Sequence, residues 1–222
     1  MQVRLLGPVD IMVDGEERPV AGLRRKAVLA TLALHVGKVV STDRLVDAVW
    51  GETAPLTALN TLQHHVSHLR AMLGGKAAIL ARPPGYLLDL GEDGTDVQLA
   101  ERLLRQGTQS ADPRQRAQEL RQALALWRGR PLVDVAGLAW VEGQAGRLDL
   151  LCQQIRRALA EAGLAAGGIC IWCPSWNRWW PITRWMSSFT RSSWSRCTAA
   201  GGRRMRYLPI SGCGPPSRRS WG

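Results

Sequence analysis

The 222-residue sequence predicts an α+β domain over residues 1–92, followed by a partial all-α helical-repeat (TPR-like) domain over residues 96–166. Three observations carry this reading. Apolar residues alternate in strand fashion at the N-terminus. They then recur at spacings of three and four in three successive segments closed by a hairpin, and beyond residue 95 only the helical spacing persists. A third segment, residues 167–222, follows neither pattern.

Val3 and Leu5 alternate with Gln2 and Arg4, and Val9, Ile11 and Val13 alternate again before the turn pair Asp14-Gly15. Arg18–Val20 reads as a third strand. From Leu23 to Val36 the spacing of Val28, Leu29, Leu32 and Val36 is helical, with Gly37 as its terminator. Ser41 is an N-cap candidate for a second helix over Thr42–Trp50, with Asp43 suited to its positive end and Gly51 as its stop. A third helix is expected with Pro55 in its first turn and Leu59, Leu62, Val66, Leu69 and Leu73 as one buried stripe, closed by Gly74-Gly75. Ala78–Ala81 and Tyr86–Leu90 then form strands around Arg82-Pro83-Pro84-Gly85, with Gly85 available for a positive-φ position. A fragment ending near Leu90 contains every strand, cap and helical stripe of this first domain, so it is expected to fold alone.

Residues 91–95 read as a linker. Asp96–Gln106, Pro113–Trp127 and Ala139–Ala166 are helical, Leu120, Leu124 and Trp127 forming the clearest core stripe and Gly129–Val135 the break before the last helix.

The formal charge of +11 would suggest a polyanionic partner, but it is unevenly placed. All 18 acidic and 20 of the 29 basic residues lie at or before Glu161, leaving +2 there, while the rest of the chain holds nine arginines and no acid. The excess charge therefore says little about the folded part. No apolar run reaches the roughly 18 residues of a membrane helix, and the N-terminus lacks a basic-then-apolar leader. A cytoplasmic protein with no membrane partner is expected. Cys152 alone precedes the final segment, in a helical pattern that suits a buried thiol, so no disulfide framework is inferred. No nucleophile–base pair or phosphate loop stands out, so neither enzymatic activity nor a cofactor is expected.

Short strands, three helices and a terminal hairpin in this order resemble the OmpR-type winged helix-turn-helix. The resemblance is carried by Leu23–Leu34 (LRRKAVLATLAL), Ser41–Gly51 (STDRLVDAVWG), Ala58–Leu73 (ALNTLQHHVSHLRAML) and Arg82–Leu87 (RPPGYL). Leu126–Val135 (LWRGRPLVDV) is similar to the start of the bacterial transcriptional activator domain that follows the winged helix in the SARP/AfsR family of antibiotic-pathway regulators. The resemblance covers roughly residues 1–166. The resemblance implies a sequence-specific DNA-binding transcriptional regulator, an activator of a biosynthetic gene cluster. It further implies double-stranded DNA bearing promoter direct repeats as the ligand, RNA polymerase as the partner of an intact member, and a homodimer on DNA as the candidate assembly.

A winged helix presents one helix to the major groove and holds phosphates with neighbouring cations and the wing. Projected at about 100° per residue, the third helix carries its leucine stripe on one side. Thr57, Asn60, Thr61, His64, Ser67 and His68 lie on the other, with Gln63 and Arg70 on the flank. Arg24, Arg25 and Lys26 open the first helix and Arg82 sits at the wing, places where the resemblance implies phosphate or minor-groove contact. Without it, a polar face opposite a leucine stripe is ordinarily just solvated, and Arg24–Lys26 would be a solvated helix start. His64 and His68 at i,i+4 lack a third ligand at metal spacing, so no metal is expected. Trp50 and Trp127 read as core aromatics, and Tyr86 as a packing residue of the wing.

After about Gly167 the composition breaks: seven of ten tryptophans and four of five cysteines lie there, and Ser, Arg, Gly and Pro dominate. Cys170 and Cys173 form a CxxC, but Cys197 and Cys213 do not form a second. Tryptophan is always tgg, so reading one nucleotide earlier turns each into ntg, for Leu, Val or Met. Hidden apolar residues then fall at 172, 176, 179 and 180, a helical spacing. Trp176–Met186 can be read in that frame as LEPVVADHPLD, which looks like the family's own sequence. The segment is therefore expected to be out-of-frame translation, produced by net loss of one nucleotide near codons 165–168 of a high-GC gene. The alternative is a genuine Trp/Arg-rich tail that binds membrane or nucleic acid. On the frameshift reading Leu148, Leu151, Ile155 and Leu159 are expected to lack packing partners. Two rival functions remain: a protein-interaction adaptor working through the helical repeat, and a non-functional frameshifted remnant.

Overall fold

The computed structural model describes residues 1–75 and 77–166. The expected out-of-frame or disordered segment, with its CxxC, lies outside the described residues. Strands β1 (Gln2–Arg4), β2 (Asp10–Val13) and β3 (Glu16–Pro19) form an antiparallel sheet in that order. Asp14 and Gly15 take φ of 53° and 85° and leave Val13 opposite Glu16. This is the two-residue turn whose twist matches the strands it joins.

Helix α1 (Leu23–Ala33) stops three residues before the expected Val36, and the chain turns through Gly37 at φ 75° into a short strand β4 (Val39–Ser41). The sequence did not reveal β4. Three residues cannot show an alternation, and pairing with a distant strand is what makes them extended. Helix α2 (Thr42–Trp50) follows, with the Ser41 hydroxyl accepting the Arg44 amide at 3.3 Å, as the cap pattern predicts.

Helix α3 (Ala58–Met72) begins three residues after Pro55, which lies in the preceding turn instead. Its buried stripe is Ala58, Leu62, Val66 and Leu69, with Leu73 just beyond. Leu59, expected within that stripe, is 52% exposed. Strands β5 (Ile79–Arg82) and β6 (Gly85–Leu88) complete a second antiparallel sheet in the order β4-β6-β5. Pro83 and Pro84, joined by a cis peptide bond, make the turn, and Gly85 does not take the positive φ anticipated for it. Gly85 is needed for a different reason. A Cβ there would lie 1.9 Å from the Val40 carbonyl oxygen, so only glycine lets β6 approach β4.

The helical part consists of α4 (Asp96–Gln109), α5 (Pro113–Ala125) and α6 (Val141–Ala165). Thr95 and Asp112 cap the first two by accepting the amides of Gln98 at 3.1 Å and Arg114 at 3.0 Å. A Cβ on Gly107 would come within 2.9 Å of Leu120, so this glycine sets the close packing of α4 on α5. The expectation of unpartnered residues on α6 is not met: Leu148, Ile155 and Leu159 are buried and Leu151 is half-buried. Helices α4 and α5 precede α6 in the chain and already cover this face.

The loop between β1 and β2 is shared with the helical part. The Asp96 carboxylate accepts the amides of Leu5 and Leu6 at 2.8–2.9 Å, and the amides of Arg128 and Leu132 donate to the carbonyls of Leu6 and Leu5. Leu5 and Leu6 are completely buried there. The Arg128 guanidinium reaches Asp10 at 2.7 Å and the Pro8 carbonyl at 3.0 Å, while Asp10 also holds Arg4. Residues 91–95 are thus not a free linker: Val3 pairs in parallel with Thr95, and Thr95 is fully buried.

Candidate nucleic-acid interface

Helix α3 is amphipathic in the sense that matters for a groove. Leu62, Val66 and Leu69 face the core, and Asn60, Gln63, His64, Ser67 and His68 are all exposed, at spacings of three and four on the opposite side. The rest of the predicted set divides. Thr57 is exposed at the start of α3, and its carbonyl accepts both the amide and the hydroxyl of Thr61 at 3.0 Å. Arg70 donates from Nε to the Ile79 carbonyl at 2.8 Å, with its guanidinium 5.9 Å from the Tyr86 ring, and so ties α3 to the β5–β6 hairpin. Tyr86 is half-buried beneath it, in the packing role its sequence position suggests. Arg82 is exposed at the hairpin turn. That turn is anchored by Thr42, whose amide and hydroxyl both donate to the Pro84 carbonyl, at 3.1 and 3.0 Å.

At the start of α1 the three cations differ. Arg24 is exposed, its guanidinium 5.6 Å from the centre of the Trp50 ring. Arg25 is half-buried near His65. Lys26 is joined to Asp134 at 2.6 Å, and the same Asp134 oxygen accepts the Val9 amide at 2.9 Å.

His65 escaped the sequence reading. Its ring stacks on Trp50 at 6.4 Å and 18°, and neither ring nitrogen has a partner in the protein. Burial first, then the positive charge of Arg25 and its neighbours, pushes the imidazole pKa below its ordinary value. The signal was present: residue 65 lies three after Leu62 and four before Leu69, on the border of the buried stripe. His64 and His68 belong to no group of side chains arranged to hold a metal ion among the described residues. No helix of the described residues is long and apolar enough to cross a membrane.

Comparison with known proteins agrees with this geometry. Residues 21–88 match the family described as transcriptional regulatory protein, C terminal, and residues 95–179 match the bacterial transcriptional activator domain. The chain is 32% identical over 180 residues to the regulatory protein DnrI of Streptomyces peucetius, covering 75% of this chain and 66% of that protein. It is 33% identical over 171 residues to the transcriptional regulatory protein EmbR of Mycobacterium tuberculosis, covering 73% of this chain and 44% of EmbR. A solved structure of EmbR, in complex with a low-affinity phosphopeptide, superposes with a TM-score of 0.71 at 32% identity, over 75% of this chain and 46% of that one. The chain thus spans between about two fifths and two thirds of the length of these relatives. With a winged helix carrying an exposed polar helix face, a helical domain behind it, and both domain families matched in that order, the chain belongs to the SARP family of transcriptional regulators.

Proposed function

We propose that the chain binds promoter DNA sequence-specifically, laying the exposed face of α3 in the major groove. The observation that carries this reading is the alignment of Asn60, Gln63, His64, Ser67 and His68 on one exposed helix face. Asn and Gln pair with adenine edges, and Ser and His hydrogen-bond to several bases. Thr57 and Thr61 lie at the end of α3 where backbone contact is expected. Arg24, Arg25 and Arg82 hold phosphates on either side, and Arg70 positions the wing. Lys26, already paired, serves the junction with the helical part.

As DnrI and EmbR are named regulators, we read this chain as an activator of a biosynthetic gene cluster. It acts on direct repeats near a promoter, as a homodimer on DNA, and recruits RNA polymerase through residues 96–166 and the helices that continue them. Its place of action is the cytoplasm. The test is a titration of the full chain against promoter and random duplexes at rising salt. Phosphate neutralisation releases counterions, so affinity is expected to fall steeply and linearly in log–log form. A chain without any salt-dependent DNA signal would instead be an adaptor working through its helical repeat.

The final segment fits the same reading. Out-of-frame translation from about residue 167 explains the tryptophan excess, the absence of acids and the hidden helical spacing together. A remnant that keeps its DNA-reading surface but lacks the rest of its activator domain is the form such a product takes.

A further inference from the structure

A cavity of about 440 Å³ lies between the winged helix and the helical part. That volume falls in the range of roughly 300–1,000 Å³ typical of small-molecule sites, which occur preferentially where domains meet. Its walls are largely apolar: Ala48, Val49 and Trp50 from α2, and Leu138, Ala139 and Trp140 from the segment entering α6. The two sides are tied where the Trp140 indole N–H donates to the Ala48 carbonyl at 2.8 Å. The Trp50 ring already carries His65 and Arg24, whereas Trp140, with no ring or cation stacked on it among the described residues, offers flat, polarisable surface for a ring.

The charged lining groups come from the end of α1 and from α2, and their protonation follows from their hydrogen bonds. Arg44 donates to Nε2 of His35 at 3.0 Å. A guanidinium has no acceptor, so Nε2 is unprotonated, and Nδ1 donates to the Thr31 carbonyl at 2.8 Å. The contact with His35 holds the guanidinium in place and leaves its charge uncompensated. Among the described residues no carboxylate lies within ion-pair distance of Arg44. Its remaining donors form the fork that recognises a carboxylate. Asp47 lines the same cavity and opposes a second negative charge, which disfavours phosphate monoesters and other dianions.

We propose that this cavity binds a flat aromatic monocarboxylic acid, its ring against Trp140 and its carboxylate on Arg44. Such a ligand touches both α2 of the DNA-binding part and the segment entering α6. Its occupancy favours the joined arrangement by mass action, which makes the cavity an effector site.

The test uses the full chain and three probes of nearly one shape: indole-3-acetate, neutral indole-3-acetamide and cationic tryptamine, followed by saturation-transfer NMR. Indole-3-acetate is expected to bind saturably and about tenfold or more tighter than tryptamine, with the amide between them. In Arg44→Gln the acid and the amide should bind alike. Ala139→Trp, which fills the cavity from an exposed position, should abolish binding of all three. Absence of saturable binding, tighter binding of tryptamine than of the acid, or an acid preference surviving in Arg44→Gln would each overturn the proposal. Acid binding undiminished in Ala139→Trp would place the site elsewhere and overturn it as well.

Discussion

Asp96 is 1% exposed and accepts three short backbone contacts from Leu5 and Leu6, yet burial outweighs them and pushes its pKa up to about 6. The opposing influences are the Leu6 and Leu5 amides and the positive charge of Arg128. The folded-state pKa lies above the unfolded one, so the fold prefers the protonated acid. Stability should therefore fall by about 3 kcal/mol as pH rises from about 4 to about 6, and this contribution should be flat above. Urea melts across that window check it: Asp96→Asn should remove the slope. Lys26 offers a second single-residue expectation. Because it is held by Asp134, Lys26→Ala should leave the salt dependence of DNA binding nearly unchanged, whereas Arg25→Ala and Arg82→Ala should each reduce the slope by about 1. Equal flattening by all three would show that Lys26 leaves Asp134 for phosphate.

On the proposed reading α3 reads bases and the β5–β6 wing holds phosphate, so substitutions in them should separate. Asn60→Ala or His64→Ala should lower discrimination between operator and random duplex by about 1–3 kcal/mol for each lost base contact, with the salt slope retained. Losses equal on both duplexes would contradict base reading by this face. The wing depends on β6 reaching β4. A Cβ at Gly85 would meet the Val40 oxygen at 1.9 Å, backbone against backbone with no side chain able to give way. Gly85→Ala should therefore detach β4 from β6 and displace Arg82, weakening binding to every duplex. Loss of amide protection at Tyr86, which pairs with Val40, would report the detachment in hydrogen exchange.

At the scale of the whole molecule, the β1–β2 loop sets the smallest fragment that should fold well. A chain cut near Leu90 contains every strand and helix of the first domain. It nevertheless loses Asp96, Arg128 and Leu132, which satisfy the backbone of the buried Leu5 and Leu6. An unpaired buried amide or carbonyl costs about 1–3 kcal/mol, so residues 1–166 should melt well above residues 1–90 in calorimetry, and equal midpoints would refute that coupling. The same region bears on the final segment. The inward face of α6 is already covered by α4 and α5, while Leu150 and Leu164 remain 59% and 73% exposed. Restoring one nucleotide near codon 166 should therefore chiefly improve solubility and promoter activation, with little effect on DNA affinity. A promoter–reporter assay at matched protein levels compares the two genes, and equal activation from both would argue for a genuine C-terminal segment.

The order of strands and helices, the Ser41 cap, the Asp14-Gly15 turn and the polar face of α3 were legible in the sequence because each rests on neighbours within a few residues. Periodicity, capping and turn chemistry are local, and they placed Asn60, Gln63, His64, Ser67 and His68 together before any contact was known. Other features depended on residues far apart in the chain. The three residues of β4 became a strand only by pairing with β6, and Gly85 proved necessary through the approach of Val40 rather than through its own φ. Leu59, in the first turn of α3, fell outside the core although Leu62, Val66, Leu69 and Leu73 of the same stripe are buried. Lys26 and Asp96, more than a hundred and about ninety residues from their partners, changed from an expected DNA contact and an ordinary first-turn helix residue into fasteners between the two parts. The sequence by itself determined most of the elements, the polar face of α3 and the family; the tertiary structure alone decided which polar groups remain unpaired at the surface, because that is set by partners the chain brings together only on folding.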